Sequence, residues 1–286
     1  MLKMPLNIFT ESEDFPFFIH YGSHVEDDCF MHGHEDFSEL VIVLEGTAEH
    51  IVGKESYPIS KGDVFVVNQY TEHGYIGATD FKICNIMFRP EIMFDKIYNI
   101  RQSTGFQALF VIEPNYFNTH RFCSRLRLDT HDFTEVKKII ENMMMEYYGE
   151  KDGNQTLVYA YFMTLCVTLS RLYCLYDSDS RKDIMKLASA IAYIEKNYCE
   201  NINITELSHI AGYSERQFSR LFNITFSTTP NLYITNLRIQ KSQQLLITTN
   251  LSIGEISWSC GFEDQNYFSR TFKKHTGMTP TEYRKK

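Results

Sequence analysis

The sequence predicts an α+β protein of two domains, in which a β-barrel followed by helices precedes an all-α region with two helix-turn-helix units. Residues 30–90 form short β-rich runs, apolar residues recur at helical spacing after about residue 130, and the last hundred residues contain an internal repeat. The chain has 286 residues, which is too long for one ordinary domain and sufficient for two.

The first domain is expected to span residues 1–130. Its runs ELVIVLEG, AEHIVG, ESYPIS, KGDVFVVNQ and DFKICNIMFRP are separated by turn candidates at Gly46, Gly53, Gly62, Gly74 and Gly77. Short β-rich segments at such regular spacing are typical of an antiparallel barrel or a jelly roll.

Residues 131–176 are expected to form two long, antiparallel helices, at 133–148 and 155–175. The apolar window 157–169 is shorter than the roughly 20 residues that cross a membrane, so a buried core helix or a dimer helix is the better interpretation. Five residues of the first helix exceed what one helix face buries against its own barrel: Met143, Met144, Met145, Tyr147 and Tyr148. We therefore expect this segment to dimerise the protein, the alternative being that it packs only within the chain.

A polar linker is expected at 177–183, and a helical domain at 184–286. Within that domain FSRLF at 218–222 returns as FSRTF at 268–272, and PNLY at 230–233 returns as PTEY at 280–283. Each copy has a short helix, a glycine-containing turn and a second helix, at 205–210 and 214–224, then at 254–259 and 264–274. Two such copies predict two helix-turn-helix units, whereas one alone would also fit a generic helical hairpin.

The helix between the copies, at 231–248, would be about 27 Å long at about 1.5 Å per residue. With the adjoining turns, it would place the two second helices about 34 Å apart, which is about one turn of DNA. The spacing therefore suits two contacts on one face of a duplex.

The charge is divided unevenly along the chain. Residues 183–286 hold 12 Lys and Arg against 9 Asp and Glu, a net +3, whereas residues 1–182 hold 16 against 27, a net −11. This asymmetry favours a nucleic-acid module joined to another domain. The seven scattered cysteines form no CxxC pair, and the first residues show no signal peptide, so we expect reduced thiols, a cytoplasmic protein and no membrane partner.

A possible metal site lies in the stretch HGHEDFSE. His32 and His34 would point to the same side of a strand, because side chains alternate with period two. Glu39 can supply a third ligand and His73 a fourth, a set that suits zinc, iron, nickel or manganese. Three interpretations stay open for these residues: an effector pocket without metal, a pocket holding a divalent transition metal, and residues with no present role.

The C-terminal region 184–286 resembles the AraC/XylS family of bacterial transcription regulators. The similarity is carried by NITELSHIAGYSERQFSRLF and above all by GFEDQNYFSRTFKKHTGMTPTEYR. It implies two helix-turn-helix units, joined by one helix, that bind double-stranded DNA. The base-facing positions that it implies are Arg216, Gln217, Ser219 and Arg220 in the first recognition helix, and Gln265, Asn266, Tyr267, Ser269 and Arg270 in the second.

These residue types fit base recognition, since Arg pairs with guanine and Asn or Gln with adenine. Arg238, Lys273 and Lys274 are expected to contact phosphate groups, which position a protein on DNA without specifying a sequence. For each of these side chains, a solvated helix face is the alternative. The phenylalanines at 218, 222, 268 and 272 lie opposite the polar positions and are expected to be core.

The pattern H-x-H-x4-E-x6-G, with the later His73, resembles the two cupin motifs, and the whole chain is similar to sugar-catabolism regulators of the rhamnose type. This resemblance implies a cupin-like sensor barrel, a homodimer, a sugar-like effector and action on RNA polymerase as an activator. Phe37, Tyr70 and Tyr75 are candidate pocket walls beside the four possible ligands, because sugars stack on aromatic rings; plain barrel core is the alternative.

Two other functions remain open. A cupin-type metalloenzyme with a fused helical tail explains the histidines and leaves the repeat unexplained. A dimeric DNA-binding regulator whose barrel senses no small molecule explains the repeat. We predict a regulator that is not an enzyme, and we assign no catalytic residue.

Overall fold

The structure of the protein, a computed structural model, forms two compact units, residues 1–188 and residues 189–286. It describes residues 3–10, 12, 14–24, 31–53, 55–69, 71–94, 99–116, 125–175 and 181–285. Tyr70 and most of the expected linker, residues 177–180, lie outside this part of the chain.

The first unit is built on an antiparallel sheet in the order β2-β7-β4-β6-β8, with β5 paired to β4. A separate parallel pair joins β1 to β3. The strands are β1 (Lys3–Met4), β2 (Phe17–His24), β3 (Gly33–His34), β4 (Ser38–Val52), β5 (Glu55–Ser60), β6 (Asp63–Val67), β7 (His73–Phe88) and β8 (Leu126–Arg127).

Three predicted turns do not exist as turns, because β4 and β7 are each one long strand. Gly46 lies inside β4 at φ 71°, where the register with β7 shifts, and an added Cβ would meet the Thr79 carbonyl oxygen at 2.2 Å. Gly74 and Gly77 likewise lie inside β7. Bulges of this kind bend a strand without ending it, so the sequence signal of a turn marks a bend here.

The inner face of this sheet is defined by an apolar cluster that includes Val41, Val43, Phe65 and Ile83. The opposite face packs on helices, as shown by the rings of Phe17 and Phe88, which lie 5.2 and 5.0 Å from the ring of Phe162. Where the register is unbroken, alternation along a strand therefore assigns its residues to the inner face or to the helices.

The helices of the first unit follow the sheet. They are α1 (Pro90–Met93), α2 (Thr104–Phe106), α3 (Glu113–Tyr116), α4 (Thr130–Tyr147) and α5 (Asn154–Leu175), with short 3-10 turns at Leu6–Ile8 and Ile100–Gln102 and a π-helical turn at Gln107–Ile112.

Helices α4 and α5 confirm the two long helices expected from the sequence. By length and composition α5 could also cross a membrane, but its residues Phe162, Leu165, Cys166 and Leu169 are fully buried in the core of this unit. One face of α5 is therefore core, whereas Leu157 and Leu175 of the same helix are exposed, so a dimer helix remains open. On α4, Met143 is buried, whereas Met145 and Tyr148 are 64% and 62% exposed.

The second unit is helical. Its helices are α6 (Lys182–Asn197), which begins in the first unit, α7 (Ile204–Ile210), α8 (Glu215–Phe226), α9 (Pro230–Thr248), α10 (Ile253–Ser259), α11 (Gln265–Thr276) and α12 (Pro280–Arg284). The predicted helices start within one residue of these positions, because polar N-caps mark them: Asn203, Ser214, Thr229, Ser252, Asp264 and Thr279 each accept a hydrogen bond from a first-turn N–H.

The repeat in sequence is also a repeat in geometry. The ring centroids of Phe218 and Phe222 lie 5.7 Å apart at 61°, and those of Phe268 and Phe272 have the same separation and angle. All four rings are fully buried, which confirms them as core. Gly212 and Gly261 hold positive φ values of 64° and 82° in the two turns, the conformation that glycine adopts without strain.

Candidate functional site

The inner face of the first unit carries a group of three histidines and one carboxylate, in which His34, Glu39 and His73 are buried and His32 is half-buried. His32 pairs with His73 through two backbone hydrogen bonds of 3.1 and 3.0 Å, which brings the residue just before β3 next to the first residue of β7. Glu39 projects from β4 beside them. One potential ligand atom from each of His32, His34, Glu39 and His73 lies within 4.8 Å of the others, so the fold gathers all four predicted ligands.

Three of these atoms form a tight triangle. The Nε2 atoms of His34 and His73 are 3.2 Å apart, and they lie 3.4 and 3.2 Å from Oε2 of Glu39. Two ligands about 2.0–2.1 Å from one zinc ion are about 2.9 Å apart at right angles and about 3.3 Å apart at the tetrahedral angle. The spacing therefore fits a divalent metal ion, and so does the donor set of imidazole nitrogens and one carboxylate oxygen.

The protonation states suit either a metal or a hydrogen-bonding ligand. Burial lowers the pKa of His73 to about 4, although Glu39 opposes this shift, so His73 is neutral at pH 7. Burial would raise the pKa of Glu39, but the imidazoles of His34 and His73 beside it hold this pKa well below its usual value. The site therefore combines the neutral imidazole of His73 with an ionised carboxylate, and Nδ1 of His34 has no hydrogen-bond partner among the described residues.

His50, which no motif in the sequence marks as a site residue, forms a second layer behind His73. Nε2 of His50 lies 3.4 Å from Nδ1 of His73, and the His50 ring stacks on the rings of Phe65 and Tyr75 at 4.5 and 5.1 Å. Burial lowers the pKa of His50 well below its usual value. If Nδ1 of His73 donates to His50, Nε2 of His73 keeps its lone pair for a metal or a ligand.

Of the three aromatic residues predicted to line the pocket, two lie next to the histidines. Phe37 is fully buried and stacks on the His34 ring at a centroid distance of 4.3 Å, while Tyr75 is half-buried against His50. Both rings thus contact the polar group directly. The position of Tyr70 lies outside the described residues.

The second unit exposes its polar side chains instead. Arg216, Arg220, Asn266 and Arg270 are exposed on α8 and α11, and the phenylalanines of the same helices are buried on the opposite side. Arg216 and Arg220 are four residues apart, as are Asn266 and Arg270, so each pair occupies one helix face. The remaining predicted base-facing positions are exposed or half-exposed: Gln217, Ser219, Gln265, Tyr267 and Ser269.

Some of these side chains already have partners. Gln217 closes a capping box, in which its Oε1 accepts from the backbone N–H and hydroxyl of Ser214. Ser269 donates to the Gln265 carbonyl oxygen. Arg238 donates to the carbonyl oxygens of Tyr198 and Glu200 at 2.6 and 2.8 Å, which ties α9 to the segment after α6, whereas Lys273 and Lys274 are exposed.

A buried polar site in a β-rich unit and two exposed cationic helix faces in a second unit define a ligand-binding DNA regulator. A family model described as an AraC-like ligand binding domain matches residues 15–165, just over half of the chain, and a helix-turn-helix domain model matches residues 207–286. The chain belongs to the AraC family, and it is a DNA-binding transcription regulator with a cupin-like N-terminal domain.

The chain is also similar to individual proteins. The chain is 28% identical over 263 residues to the HTH-type transcriptional activator RhaR of Enterobacter sp. (strain 638), covering 88% of this chain and 86% of that protein. It is 28% identical over 256 residues to the HTH-type transcriptional activator RhaS of Escherichia fergusonii, covering 90% and 88%. A transcriptional regulator structure from Chromobacterium violaceum is 36% identical over 35% of this chain and 88% of that chain, with a TM-score of 0.33.

Proposed function

We propose that this regulator activates carbohydrate-utilisation genes in response to a small, neutral, sugar-like effector bound on the inner face of the first unit. The observation that carries the proposal is the buried group of His34, Glu39 and His73, flanked by the rings of Phe37 and Tyr75. Sugars bind where a few placed polar groups fix the hydroxyls and apolar or aromatic surfaces cover the C–H faces. Glu39 and the imidazoles of His34 and His73 are such polar groups.

The proposal extends to the rest of the regulator. The protein acts in the cytoplasm as a homodimer that contacts RNA polymerase at its target genes, as its similarity to proteins named as activators suggests. We expect the dimer contact to bury three exposed side chains: Met145 of α4, Tyr148 directly after α4, and Leu157 of α5. A Met145→Glu/Leu157→Glu variant is expected to be monomeric in sedimentation equilibrium, and an unchanged dimer would place the contact elsewhere.

A divalent metal at the same site is the second candidate, supported by the 3.2–3.4 Å spacing of the three facing atoms. His32, His34, Glu39 and His73 would hold the ion, which would supply a positive charge that polarises effector hydroxyl groups. Elemental mass spectrometry of tag-free protein tests this candidate. One equivalent of metal that is lost in His34→Ala supports it, and metal at background level leaves the residues as direct hydrogen-bonding partners.

The main experiment measures whether a sugar changes DNA binding. DNA sites are first selected in vitro with the full chain, and their affinity is then measured with and without each of seven sugars: L-rhamnose, L-fucose, L-arabinose, D-xylose, D-glucose, D-mannose and D-galactose. At least one sugar is expected to change the DNA affinity by about 5-fold or more, the range typical of coupled sites. Glu39→Gln should lose this response, whereas Glu45→Gln, at the exposed partner of Lys82, should keep it.

The other outcomes identify the alternatives. DNA affinity that no sugar changes would favour a regulator whose first unit only dimerises. Turnover of a sugar by metal-loaded protein would revive the metalloenzyme interpretation. Failure to select any DNA site would contradict the role of α8 and α11 as recognition helices.

A further inference from the structure

Asn85 lies on the inner face of the sheet, away from the histidine group. The register between β7 and β4 is unbroken from Ile83, opposite Val43, to Phe88, opposite Ser38. Because Ile83 belongs to the inner apolar cluster, alternation places Asn85 on the same face, directly opposite Val41. The side-chain amide of Asn85 is therefore next to apolar residues of β4, such as Val41 and Val43.

The amide is buried and lacks a partner. Asn85 is 9% exposed, and its Oδ1 has no hydrogen-bond partner among the residues that the structure describes. A buried acceptor without a partner is costly, and native proteins rarely keep one that serves only packing. A leucine of similar size would fill this position without that cost, so the amide indicates a partner that is not part of the described chain.

The surroundings of Asn85 show what such a partner can reach. On the β2 side of β7, Asn85 is opposite the half-buried His20. Two polar side chains are therefore direct cross-strand neighbours on the inner face. Glu39 is opposite Met87, two residues further along β7, and is therefore diagonal to Asn85. Diagonal neighbours in a sheet are about 7–8 Å apart, a distance that one monosaccharide ring with its hydroxyl groups spans.

We infer that Asn85, assisted by His20, is a second polar contact for the effector and determines which hydroxyl pattern is accepted. This inference rests on the proposed sugar response and deepens it. The side-chain amide can accept from one hydroxyl and donate to its neighbour, while Glu39 and the histidines hold the far side of the molecule. The ligand class is a small, neutral polyhydroxylated molecule with a vicinal hydroxyl pair at the Asn85 end.

The position makes Asn85 a specificity residue. A site built to hydrogen-bond a hydroxyl rejects analogues that lack it strongly, because the protein group is left unpaired in the complex. Exchange of the amide for an apolar group of similar size should therefore remove the preference among hydroxyl isomers. It should also remove the buried unpaired acceptor from the ligand-free protein.

The test compares Asn85→Leu with the full-length wild type by titration calorimetry against the same seven sugars, and by thermal unfolding without sugar. Ile83→Val, on the same strand and face, is the matched control. For each sugar that the wild type binds, Asn85→Leu is expected to bind at least 10-fold more weakly, whereas the control stays within about 2-fold. The ligand-free melting temperature of Asn85→Leu is expected to equal or exceed that of the wild type.

Three results would contradict the inference about Asn85, and they can be told apart. Unchanged sugar affinity in Asn85→Leu would overturn the inference and leave the sugar response intact. A lower ligand-free melting temperature with unchanged selectivity would also overturn it, because the amide would then be structural. If the wild type binds none of the seven sugars, the proposed sugar effector fails, and the inference fails for this class of ligand with it.

Discussion

The two units of the chain hold their functional side chains in opposite settings. In the first unit Glu39, His34 and His73 are at most 2% exposed and face one another. In the second unit Arg220 and Arg270 are exposed at matched positions of the repeat, and neither has a hydrogen-bond or ion-pair partner among the described residues. The first unit therefore buries the polar groups of its site, whereas the second exposes its polar groups and buries the phenylalanines of the same helices.

Buried and exposed polar groups favour different kinds of ligand. A buried polar group must be paired, so it selects a small molecule or an ion whose atoms replace water one by one. An exposed cation loses little by facing water and gains by replacing the counterions of a polyanion such as DNA. Acid and changes at inner-face residues should therefore affect the first unit, whereas salt and changes at exposed residues should affect the DNA binding of the second.

The largest expected effect is on the core of the second unit. Phe268→Ala should lower the free energy of unfolding by about 3 to 5 kcal/mol, because it removes a fully buried ring and leaves a cavity. Urea unfolding followed by the fluorescence of Trp258, the single tryptophan, reports on this unit. Ile247→Ala, at a residue that is 69% exposed, should change the stability by less than about 0.5 kcal/mol. Similar losses in both variants would contradict the assigned core.

The second effect separates the units by pH. The His73 pKa is about 4 in the folded protein against an ordinary 6.5, so between these values the unfolded chain binds more protons and acid favours unfolding. The first unit should therefore lose about 3 kcal/mol as the pH falls from 7 to 4. The measurement is urea unfolding by circular dichroism in the presence of EDTA.

Variants at two histidines give the control for this pH effect. His73→Gln should flatten the dependence, whereas His131→Gln, at an exposed side chain, should leave it unchanged. Acid loss in the second unit, seen as an equal shift of the Trp258 transition, would show that the buried histidines are not its cause.

The third effect concerns specific DNA binding. Arg270→Ala should weaken binding to a selected DNA site by about 10- to 100-fold and relax the preference at one base pair, as expected when a bidentate contact to guanine is lost. Fluorescence anisotropy measures this affinity, and Arg171→Ala, at an exposed residue of α5 in the first unit, is the control. Equal losses for selected and random DNA would make Arg270 a phosphate contact instead.

The smallest effect is a change of salt dependence. Lys273→Ala should weaken binding to all DNA sequences equally and reduce the slope of log affinity against log salt by about 1, because one phosphate contact is lost. Lys137→Ala, at an exposed lysine of α4, should leave the slope unchanged. A Lys273→Ala slope equal to that of the wild type would remove this residue from the phosphate contacts.

The same contrast explains how much of the molecule could be predicted. In the second unit the capping residues and the 50-residue offset of Phe218 and Phe268 determine local structure directly, so the helix bounds were predicted closely. In the first unit the spacing of His32, His34 and Glu39 predicted a cluster that the fold brings together. Short-range patterns were sufficient in both cases.

Features that depend on strand register were not predicted. The strand β4 continues through Gly46 because a bulge places its backbone against Thr79, a contact between distant residues. His50 and Asn85 occupy inner positions only because β4 pairs with β7 in one particular register. Asn85 lies in a run of apolar residues, so the sequence around it does not tell which face of the strand is inner.

The central claim is that the effector site of the first unit and the DNA site of the second are coupled. Titration calorimetry of the most effective sugar into the full chain, alone and saturated with selected DNA, tests this claim directly. The account predicts that DNA changes the sugar affinity by the same factor, about 5-fold or more, by which the sugar changes the DNA affinity, because coupling between two sites is reciprocal. Sugar binding of equal affinity with and without DNA would contradict it.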